Sequence, residues 1–285
     1  MSRLSRTIGV ALLALVAALL PALPASAITG GEPDGNRHPN VGLIAFYTPD
    51  GRFRCSATLV SPTVVLTAAH CTDGTLGKTL VTFKSVIALQ PPSPLPVAAN
   101  PAAGYTQAEL EAAGYLSGTA YTHPAYSDFT DLNNWNDVGV IVLDRPLTTI
   151  TPARIAPTNY LNAFGQPTLN KTIFTSVGYG TEVRKPDSGP QKPTPMSYPL
   201  LRRFAEQPGQ KLTDQILQVN GNINDNRGTG GTCFGDSGGP TFHGGYVVTV
   251  TSYGYTDNCR YLGGLQRVDI PVVQQWLATF GVTFG

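Results

Sequence analysis

The sequence predicts an all-β protein that ends in a single helix. Its 285 residues include 31 glycines and 24 prolines, and only 13% of them are charged, which is typical of chains in which frequent turns separate short elements. Its length allows one domain or two.

Runs rich in β-branched and aromatic residues recur along the chain and predict short strands. These runs are Val41–Tyr47, Ser56–Val60, Val64–Ala68, Thr79–Ala88, Val138–Leu143, Thr172–Val177, Tyr246–Tyr253 and Leu265–Val268. The segment Pro271–Phe280 differs, because its apolar residues share one helical face and its proline suits a first turn, so it predicts the terminal helix.

The first 27 residues have the features of a secretory signal peptide. Arg3 and Arg6 give a basic start, and Ile8–Leu20 is an apolar run of thirteen residues. Ala25–Ala27 then supplies an A-x-A cleavage site. A membrane anchor is the alternative, but the run is shorter than the roughly 20 residues that a spanning helix needs. We therefore predict a secreted, extracellular chain that begins at Ile28.

Charge bears on the partners of the secreted chain. The formal net charge is +1, and loss of the two arginines in the signal segment changes it to −1. A near-neutral chain has no basic footprint for nucleic acid. We expect a monomer that binds neither nucleic acid nor, after removal of the signal segment, a membrane.

Two segments interrupt the strand pattern. The region 84–118 reads as an enlarged surface loop with a proline-rich part, and within it we expect Ser93–Gly104 to lie on the surface, to contribute little to stability and to restrict the approach of substrates. Good helix formers predict a short helix at Thr106–Ala113. The segment Arg184–Pro199 is predicted to be an exposed loop that proteases can nick.

Two short motifs carry the chemistry. The first is Gly235-Asp236-Ser237-Gly238-Gly239-Pro240, and the second is Thr67-Ala68-Ala69-His70-Cys71. A serine hydroxyl is a poor nucleophile at neutral pH unless an imidazole removes its proton as it attacks. Glycines around such a serine let the backbone turn sharply and aim N–H groups at a developing oxyanion. The pair predicts a nucleophile, Ser237, and a base, His70.

With these motifs the chain resembles the chymotrypsin-like (trypsin-fold) serine peptidases, as a secreted member of the bacterial type. The resemblance runs from Ile28 to about Trp276 and includes further pieces in the family's order: Ile28-Thr29-Gly30-Gly31, Asn136-Asp137-Val138-Gly139-Val140, Gly178-Tyr179-Gly180 and Ser252-Tyr253-Gly254. It implies two packed antiparallel β-barrels, in halves of roughly 28–150 and 151–285, with the C-terminal helix. It implies polypeptide substrates, protein inhibitors as further partners, and no metal or organic cofactor.

A serine and a histidine of this kind act with a third residue, a carboxylate that accepts a hydrogen bond from the imidazole and fixes its tautomer. Asp128, Asp131, Asp137 and Asp144 all lie in the right stretch. Asp137 directly precedes a predicted buried strand and matches the family's pattern, so we predict Asp137. The other histidines, which are His38, His123 and His243, are predicted to be exposed or structural.

The resemblance assigns further residues. It places the oxyanion hole at the backbone N–H groups of Gly235 and Ser237. It implies that a new Ile28 amino group pairs with Asp236, and because Ile28 directly follows the cleavage site, removal of the signal peptide would itself activate the enzyme.

The four cysteines allow three disulfide pairings. The resemblance implies Cys55 with Cys71 and Cys233 with Cys259. Free or zinc-bound thiols are the alternative, but the chain has no CxxC spacing.

The resemblance also outlines a substrate pocket from Gly231, Thr232, Ser252, Tyr253 and Gly254, completed by Gly263 or Gly264. Trypsin-like members carry an aspartate at the position of Gly231 to pair with lysine or arginine, and a buried cation without such a partner is strongly disfavoured. We expect a large apolar or aromatic P1 residue, with small aliphatic residues as the alternative.

Some residues depart from the family's pattern. Thr29 replaces an aliphatic residue, Thr251 replaces the histidine of the acid-specific members, and a third disulfide found in many relatives is missing. No calcium-binding loop of the D-x-D-x-D-G type is visible.

Two alternative functions fit the same fold. Labelling of the serine by a fluorophosphonate distinguishes the enzyme from a non-catalytic binding protein, and relative rates on amide and ester substrates distinguish it from an esterase.

Overall fold

The computed structural model describes residues 28–183 and 196–285, so the predicted signal peptide and most of the predicted loop Arg184–Pro199 lie outside the described residues. The strands are β1 Glu32–Pro33, β2 Val41–Thr48, β3 Gly51–Ser61, β4 Val64–Thr67, β5 Leu76–Thr82, β6 Val86–Ala88, β7 Leu116–Thr122, β8 Gly139–Leu143, β9 Arg154–Ile155, β10 Ile173–Gly178, β11 Glu182–Val183, β12 Met196–Ser197, β13 Leu200–Leu201, β14 Arg203–Leu212, β15 Ile216–Asn220, β16 Pro240–His243, β17 Tyr246–Gly254 and β18 Leu262–Arg267. The helices are α1 Gln107–Ala112, α2 Thr168–Lys171 and α3 Pro271–Ala278, and Ala69–Cys71 and Tyr160–Ala163 form 3₁₀ turns.

Two closed six-stranded antiparallel barrels make up the fold, as predicted. The first joins its strands in the order β2-β3-β4-β8-β7-β5, and β2 pairs with β5 to close it. The second runs β14-β10-β16-β17-β18-β15 and closes through β14 and β15. Closure leaves neither barrel with a free edge, which removes the usual site of strand-to-strand aggregation.

The apolar run of β2 is buried on both of its faces. Ile44 and Phe46 point into the first barrel, and the alternate residues Leu43 and Tyr47 belong to a second cluster on its outer side. Successive side chains of a strand face opposite sides. A strand covered on both sides therefore reads as a continuous apolar run rather than an alternating one.

The C-terminal helix α3 packs where the barrels meet. Val273 and Leu277 are fully buried in one cluster with Leu66 of the first barrel and with Val247 and Val250 of the second. Pro271 occupies the first helical turn, where its missing N–H has no helical partner to lose. The predicted helix is therefore confirmed, ending at Ala278 rather than Phe280.

The predicted strands are confirmed, with one division and several omissions. Thr79–Ala88 is not one strand, because β5 ends at Thr82 and β6, which starts at Val86, pairs with β13. The strands β7, β14, β15 and β16 were missed by the sequence analysis. Glycine, proline or charged residues interrupt the strand pattern in β7, β14 and β16, and β15 is a short run of five residues with two polar amides.

The proline-rich segment is anchored, which corrects the expectation that it contributes little to stability. Leu95 and Ala98 are 6% and 4% exposed, and they pack in the cluster that covers the outer face of β2. The Ala98 N–H donates to the Tyr47 hydroxyl (3.1 Å). The predicted helix follows as α1, capped by reciprocal hydrogen bonds between Thr106 and Glu109.

Both disulfides implied by the resemblance are present. Cys55 is bonded to Cys71, with 6.3 Å between their Cα atoms, and Cys233 to Cys259, with 5.2 Å. The first joins β3 to the 3₁₀ turn that carries His70. The second joins the serine loop to the segment after β17. Within the described ranges, no helix is long and apolar enough to cross a membrane.

Candidate active site

The histidine motif lies directly after β4, where the chain turns into the 3₁₀ turn Ala69–Cys71. The Thr72 hydroxyl closes this turn by donating to the Ala69 carbonyl (2.9 Å). Gly139, the first residue of β8, packs against it so closely that a Cβ would lie 2.5 Å from Thr72 Oγ1 and 2.7 Å from the Ala68 carbonyl oxygen. Glycine at this position therefore lets the start of β8 approach the turn that carries His70.

Asp137 lies at this junction, and it is completely buried. Its carboxylate accepts hydrogen bonds from the His70 backbone N–H (3.0 Å) and from His70 Nδ1 (2.9 Å). Because an ionised carboxylate can only accept, Nδ1 carries the proton, and Nε2 is left with a lone pair. The arrangement holds His70 in the tautomer that a general base requires.

The other aspartates of the stretch have different partners. Asp128 accepts from the Tyr126 hydroxyl (3.3 Å), and Asp131 accepts from the Asn133 backbone N–H (2.9 Å) within its own turn. Asp144 pairs with Lys78 (2.5 Å). The structure thus brings Asp137, and none of these three, into hydrogen-bond contact with His70.

The serine motif is held against β3 by two hydrogen bonds from Ser56, and it approaches β4 closely at Gly238. The Ser56 N–H donates to the Ser237 carbonyl (2.9 Å), and the Ser56 hydroxyl donates to the Gly235 carbonyl (2.9 Å). Gly238 has a φ of +73°, and a Cβ there would lie 2.0 Å from Thr67 Oγ1. Only glycine fits this approach without strain.

Ser237 and His70 line the same cleft, which encloses about 430 Å³. Their side chains form no hydrogen bond among those described for this part of the chain. Catalytic hydrogen bonds are often long before substrate binds and tighten in the complex. The geometry therefore places the Ser237 hydroxyl and an oriented imidazole on one surface.

The backbone N–H groups of Gly235 and Ser237 are available for an oxyanion. Neither donates a hydrogen bond to another group of the described chain. Gly235 adopts a φ of +93°, which favours glycine. Two unpaired donors next to a serine nucleophile have the chemistry of an oxyanion hole.

Asp236, which directly precedes Ser237 in the serine loop, is completely buried. Its carboxylate accepts from the backbone N–H groups of Gly180 (2.7 Å) and Cys233 (2.8 Å). A Cβ on Gly178 or on Gly180 would lie within 2.2 Å of the carboxylate oxygens. Burial raises the pKa of Asp236 to about 7, although the two N–H donors and the charge of Arg54 oppose the shift. No lysine or arginine in the described ranges forms an ion pair with it.

The segment that begins at Ile28 is docked near this loop. Ile28 is fully buried, its carbonyl accepts from the Gly31 N–H (2.8 Å), and Thr29 forms a β-bridge with Gly231. Gly231 precedes the serine loop by a few residues. The residues expected to deliver the new amino group are therefore already packed beside the loop that contains Asp236.

A pocket of about 270 Å³ adjoins Ser237. Thr232, Ser252, Tyr253 and Gly254 line it, as predicted from the resemblance. Gly231 lies behind the floor instead, where a Cβ would lie 2.6 Å from the Gly221 Cα atom.

The remaining walls were not all predicted. Gly263 lines the pocket, whereas a Cβ on Gly264 would collide with the Tyr253 ring at 2.2 Å. Asp257 contributes to an exposed wall, and Gln207 of β14 reaches the pocket from the second barrel. Gln207 was not predicted, because nothing near it in the chain marks it as a pocket residue.

Comparison with known proteins decides the family. The family model described as Trypsin matches residues 28–277. The chain belongs to the trypsin family. Membership in this family, together with the fold, makes it a serine endopeptidase, a hydrolase whose substrates are polypeptides.

Two curated members of the family and one solved structure show how far the similarity extends. The chain is 29% identical over 223 residues to brachyurin from Leptuca pugilator, covering 74% of this chain and 80% of that protein. It is 27% identical over 236 residues to trypsin from Saccharopolyspora erythraea, covering 80% and 86%. The structure of HL collagenase has a TM-score of 0.61 at 18% identity over 92% of this chain and 99% of that one, and it supports the fold alone.

In this trypsin-family chain, a hydrogen-bond network extends beyond Asp137. The Ser252 hydroxyl donates to Asp137 Oδ2 (2.6 Å), and the buried Trp135 indole N–H donates to Ser252 Oγ (2.9 Å). An indole N–H can only donate, so Ser252 must accept from it and direct its own proton to Asp137. Gln266 Oε1 also accepts from the Asp137 backbone N–H (3.1 Å). Trp135 and Gln266 were missed, since neither lies in a motif.

Aromatic rings flank His70 on one side of the cleft. The His70 and Phe129 ring centroids are 5.5 Å apart, Phe129 contacts Trp135 at 5.3 Å, and Trp135 contacts Tyr253 at 5.2 Å. Phe129 is 42% exposed and has a φ of +62°. The left-handed backbone at Phe129 places a partly exposed apolar ring against the His70 imidazole.

The remaining histidines contact groups outside the cleft. His38 Nδ1 contacts Asp34 Oδ1 (2.5 Å), and His243 Nδ1 bonds the Tyr160 hydroxyl (2.8 Å). His123 packs edge-on against Trp276, and burial lowers its pKa. These contacts support the structural roles expected for all three.

One cluster in the described part of the chain has the composition of a metal site. Potential ligand atoms of Cys55, His70 and Cys71 lie within 4.8 Å of one another. The two sulfurs are joined in a disulfide, whereas cysteine binds a metal ion as a free thiolate. His70 Nδ1 is bonded to Asp137. We therefore assign no metal role to the cluster.

Proposed function

We propose that this endopeptidase cleaves peptide bonds with Ser237, His70 and Asp137 through an acyl-enzyme. Ser237 Oγ attacks the carbonyl while His70 Nε2 accepts its proton, and the imidazolium then protonates the leaving amine. Asp137 holds Nδ1–H in place and stabilises the imidazolium. The observation that carries the proposal is the buried Asp137 carboxylate, bonded to His70 at 3.0 and 2.9 Å beside the cleft that also contains Ser237.

The tetrahedral intermediate is stabilised by the backbone N–H groups of Gly235 and Ser237. Their lack of other partners within the described chain supports this role. Losing one donor of an oxyanion hole costs on the order of 10²–10³ in kcat. The Ser56 hydroxyl, which accepts from the Tyr179 N–H (2.9 Å) and donates to the Gly235 carbonyl (2.9 Å), positions the loop.

For the P1 residue we propose a large apolar or aromatic side chain. Gly254 and Gly263 add no side chain to the pocket walls, and Asp257 is the one charged side chain among the described residues that line it. Asp257 lies on the exposed wall. An exposed carboxylate pairs weakly with a cation, because water screens it. Faster cleavage after Arg or Lys than after Phe, Tyr or Leu would contradict this preference.

We further propose that the enzyme is secreted as a monomer and activated by signal-peptide removal. Cleavage after Ala27 frees the Ile28 amino group, which then pairs with Asp236 and orders the oxyanion loop. The docked position of Thr29 on Gly231 and the buried Asp236, which has backbone N–H donors but no ion-pair partner among the described residues, support this route. N-terminal sequencing of fully active secreted protein tests it, and a start other than Ile28 would contradict it.

A fluorophosphonate, which phosphonylates activated serines, tests the catalytic proposal. We expect stoichiometric labelling of the chain that starts at Ile28, no labelling of Ser237→Ala, and unchanged labelling of the control Ser61→Ala. His70→Ala should label slowly, since the hydroxyl loses its base. Absence of labelling in the wild type would favour a binding protein, and turnover of esters without turnover of amides would favour an esterase.

A further inference from the structure

One buried polar side chain in the lining of the pocket beside Ser237 lacks a hydrogen-bond partner on its amide nitrogen. Gln207 is fully buried and lines this pocket from β14. Its Oε1 accepts from the Ser176 hydroxyl (2.8 Å). Its Nε2 has no hydrogen-bond partner in the described part of the chain. An unpaired buried amide is rare in proteins, because no hydrogen bond offsets the free energy lost when the group is removed from water.

Glycine backbone borders this amide, and one of these glycines, Gly221, also lines the pocket. A Cβ on Gly231 would lie 3.1 Å from Gln207 Nε2, and a Cβ on Gly221 would lie 3.4 Å from it. Any larger residue at either position would cover the amide. The backbone of Gly221 therefore lies beside both the amide and the pocket, and no side chain at this position covers the amide.

We infer that Gln207 selects tyrosine at P1 by forming a hydrogen bond with its phenol, which deepens and rests on the proposed aromatic P1 preference. A phenol hydroxyl both donates and accepts, so it satisfies the amide whichever of its two polar atoms faces the pocket. Phenylalanine fills the same space but leaves the amide unpaired. A site built to bond a hydroxyl discriminates against the analogue that lacks it, because its own buried polar group then loses its partner.

The magnitude follows from one buried hydrogen bond. We expect kcat/KM for a P1 tyrosine to exceed that for phenylalanine by about tenfold, the effect of one such bond. The test uses the chain that starts at Ile28 and peptide p-nitroanilides that differ only at P1, with Tyr, Phe, Leu, Gln, Lys and Arg. The comparison of Tyr with Phe in the wild type needs no variant, so it stands even if a substitution at Gln207 impairs folding.

Two variants assign the effect to this residue. Gln207→Leu removes the amide, so the ratio of kcat/KM for the Tyr substrate to that for the Phe substrate should fall to about one. The fall should come from a lower kcat/KM for Tyr and not from a higher kcat/KM for the other substrates. Gln274→Leu removes another buried glutamine, on α3, that bonds the Ala156 carbonyl (2.9 Å), and it should leave the ratio unchanged.

The outcomes separate this inference from the function on which it rests. Equal rates for Tyr and Phe in an enzyme that labels with fluorophosphonate would refute the role of Gln207 alone, as would a ratio that Gln207→Leu does not change. Faster cleavage after Gln than after Tyr would assign the amide to a different P1 residue and refute the inference. Faster cleavage after Lys or Arg would overturn both the aromatic preference and the inference, and loss of all turnover and labelling would overturn the catalytic proposal with it.

Discussion

The substitution Asp236→Asn should have opposite effects on stability before and after exposure of the Ile28 amino group. In the chain that retains residues 1–27, Asp236 is buried without an ion-pair partner among the described residues, and burial raises its pKa to about 7. Ionising it in the folded chain therefore costs free energy. In the chain that begins at Ile28, the proposed ammonium makes the ionised form favourable.

The magnitude comes from the pKa of the carboxyl in the two states. The difference between 3.8 unfolded and about 7 folded, at about 1.4 kcal/mol for each pH unit, is roughly 4 kcal/mol. A raised carboxyl pKa means that stability is full below pH 4 and falls as pH rises from 4 to 7, because the unfolded state ionises first. Asparagine removes this loss but accepts only one of the N–H groups of Gly180 and Cys233, which costs about 1–3 kcal/mol. At pH 8 the retained form should gain about 1–3 kcal/mol.

The processed form should lose stability instead. Removing one partner of a buried ion pair costs about 3–5 kcal/mol. Urea unfolding at pH 3.5 and pH 8 measures both forms, each in a Ser237→Ala background that prevents autolysis. In the retained form, Asp236→Asn should become destabilising by about 1–3 kcal/mol at the lower pH, because both states of the aspartate then bind the proton and only the lost hydrogen bond to an N–H group remains.

A second buried aspartate is the matched control. Asp34 pairs with the buried Arg202 (2.8 Å), and although burial alone would raise its pKa, hydrogen bonds from His38 and Arg202 lower it to about 2. Asp34→Asn should destabilise both forms equally at pH 8. If Asp236→Asn changes the free energy of unfolding with the same sign in both forms, the pairing of Asp236 with the Ile28 amine is wrong.

Three further substitutions test the site and its scaffold. Trp135→Phe removes the donor to Ser252 (2.9 Å) and should lower kcat/KM about threefold to tenfold. The same substitution should have no such effect in a Ser252→Ala background. Equal losses in both backgrounds would show that the indole acts through packing alone. Leu95→Ala should lower the free energy of unfolding by about 2–4 kcal/mol, whereas Val97→Ala, at 67% exposed, should change it by less than about 0.5 kcal/mol; a small effect for both would restore the original expectation for this segment. Gly238→Ala places a Cβ 2.0 Å from a hydroxyl oxygen at a φ of +73°, so thermal unfolding and fluorophosphonate labelling should both show a loss, and normal labelling would mean that the serine loop tolerates the shift.

Local sequence was sufficient for the elements whose physics is local. The apolar run of β2, the short helix α1 and the amphipathic α3 were all predicted, because apolar runs, helix propensity and periodicity depend on neighbours within a few residues. The strand β14 was missed, since Pro208 and Gly209 interrupt it. Its pairing to β10 and β15 stabilises it in spite of its composition.

The sequence by itself determined the serine and histidine motifs, and the family they resemble, because a nucleophile loop needs a fixed order of glycines around one residue. Only the tertiary structure decided which groups support them. Asp137 meets Ser252 across 115 residues of chain and Gln266 across 129, and Gln207 reaches the floor of the pocket from β14. Burial and hydrogen bonding between such distant positions arise from barrel closure, and no pattern of neighbouring residues encodes them.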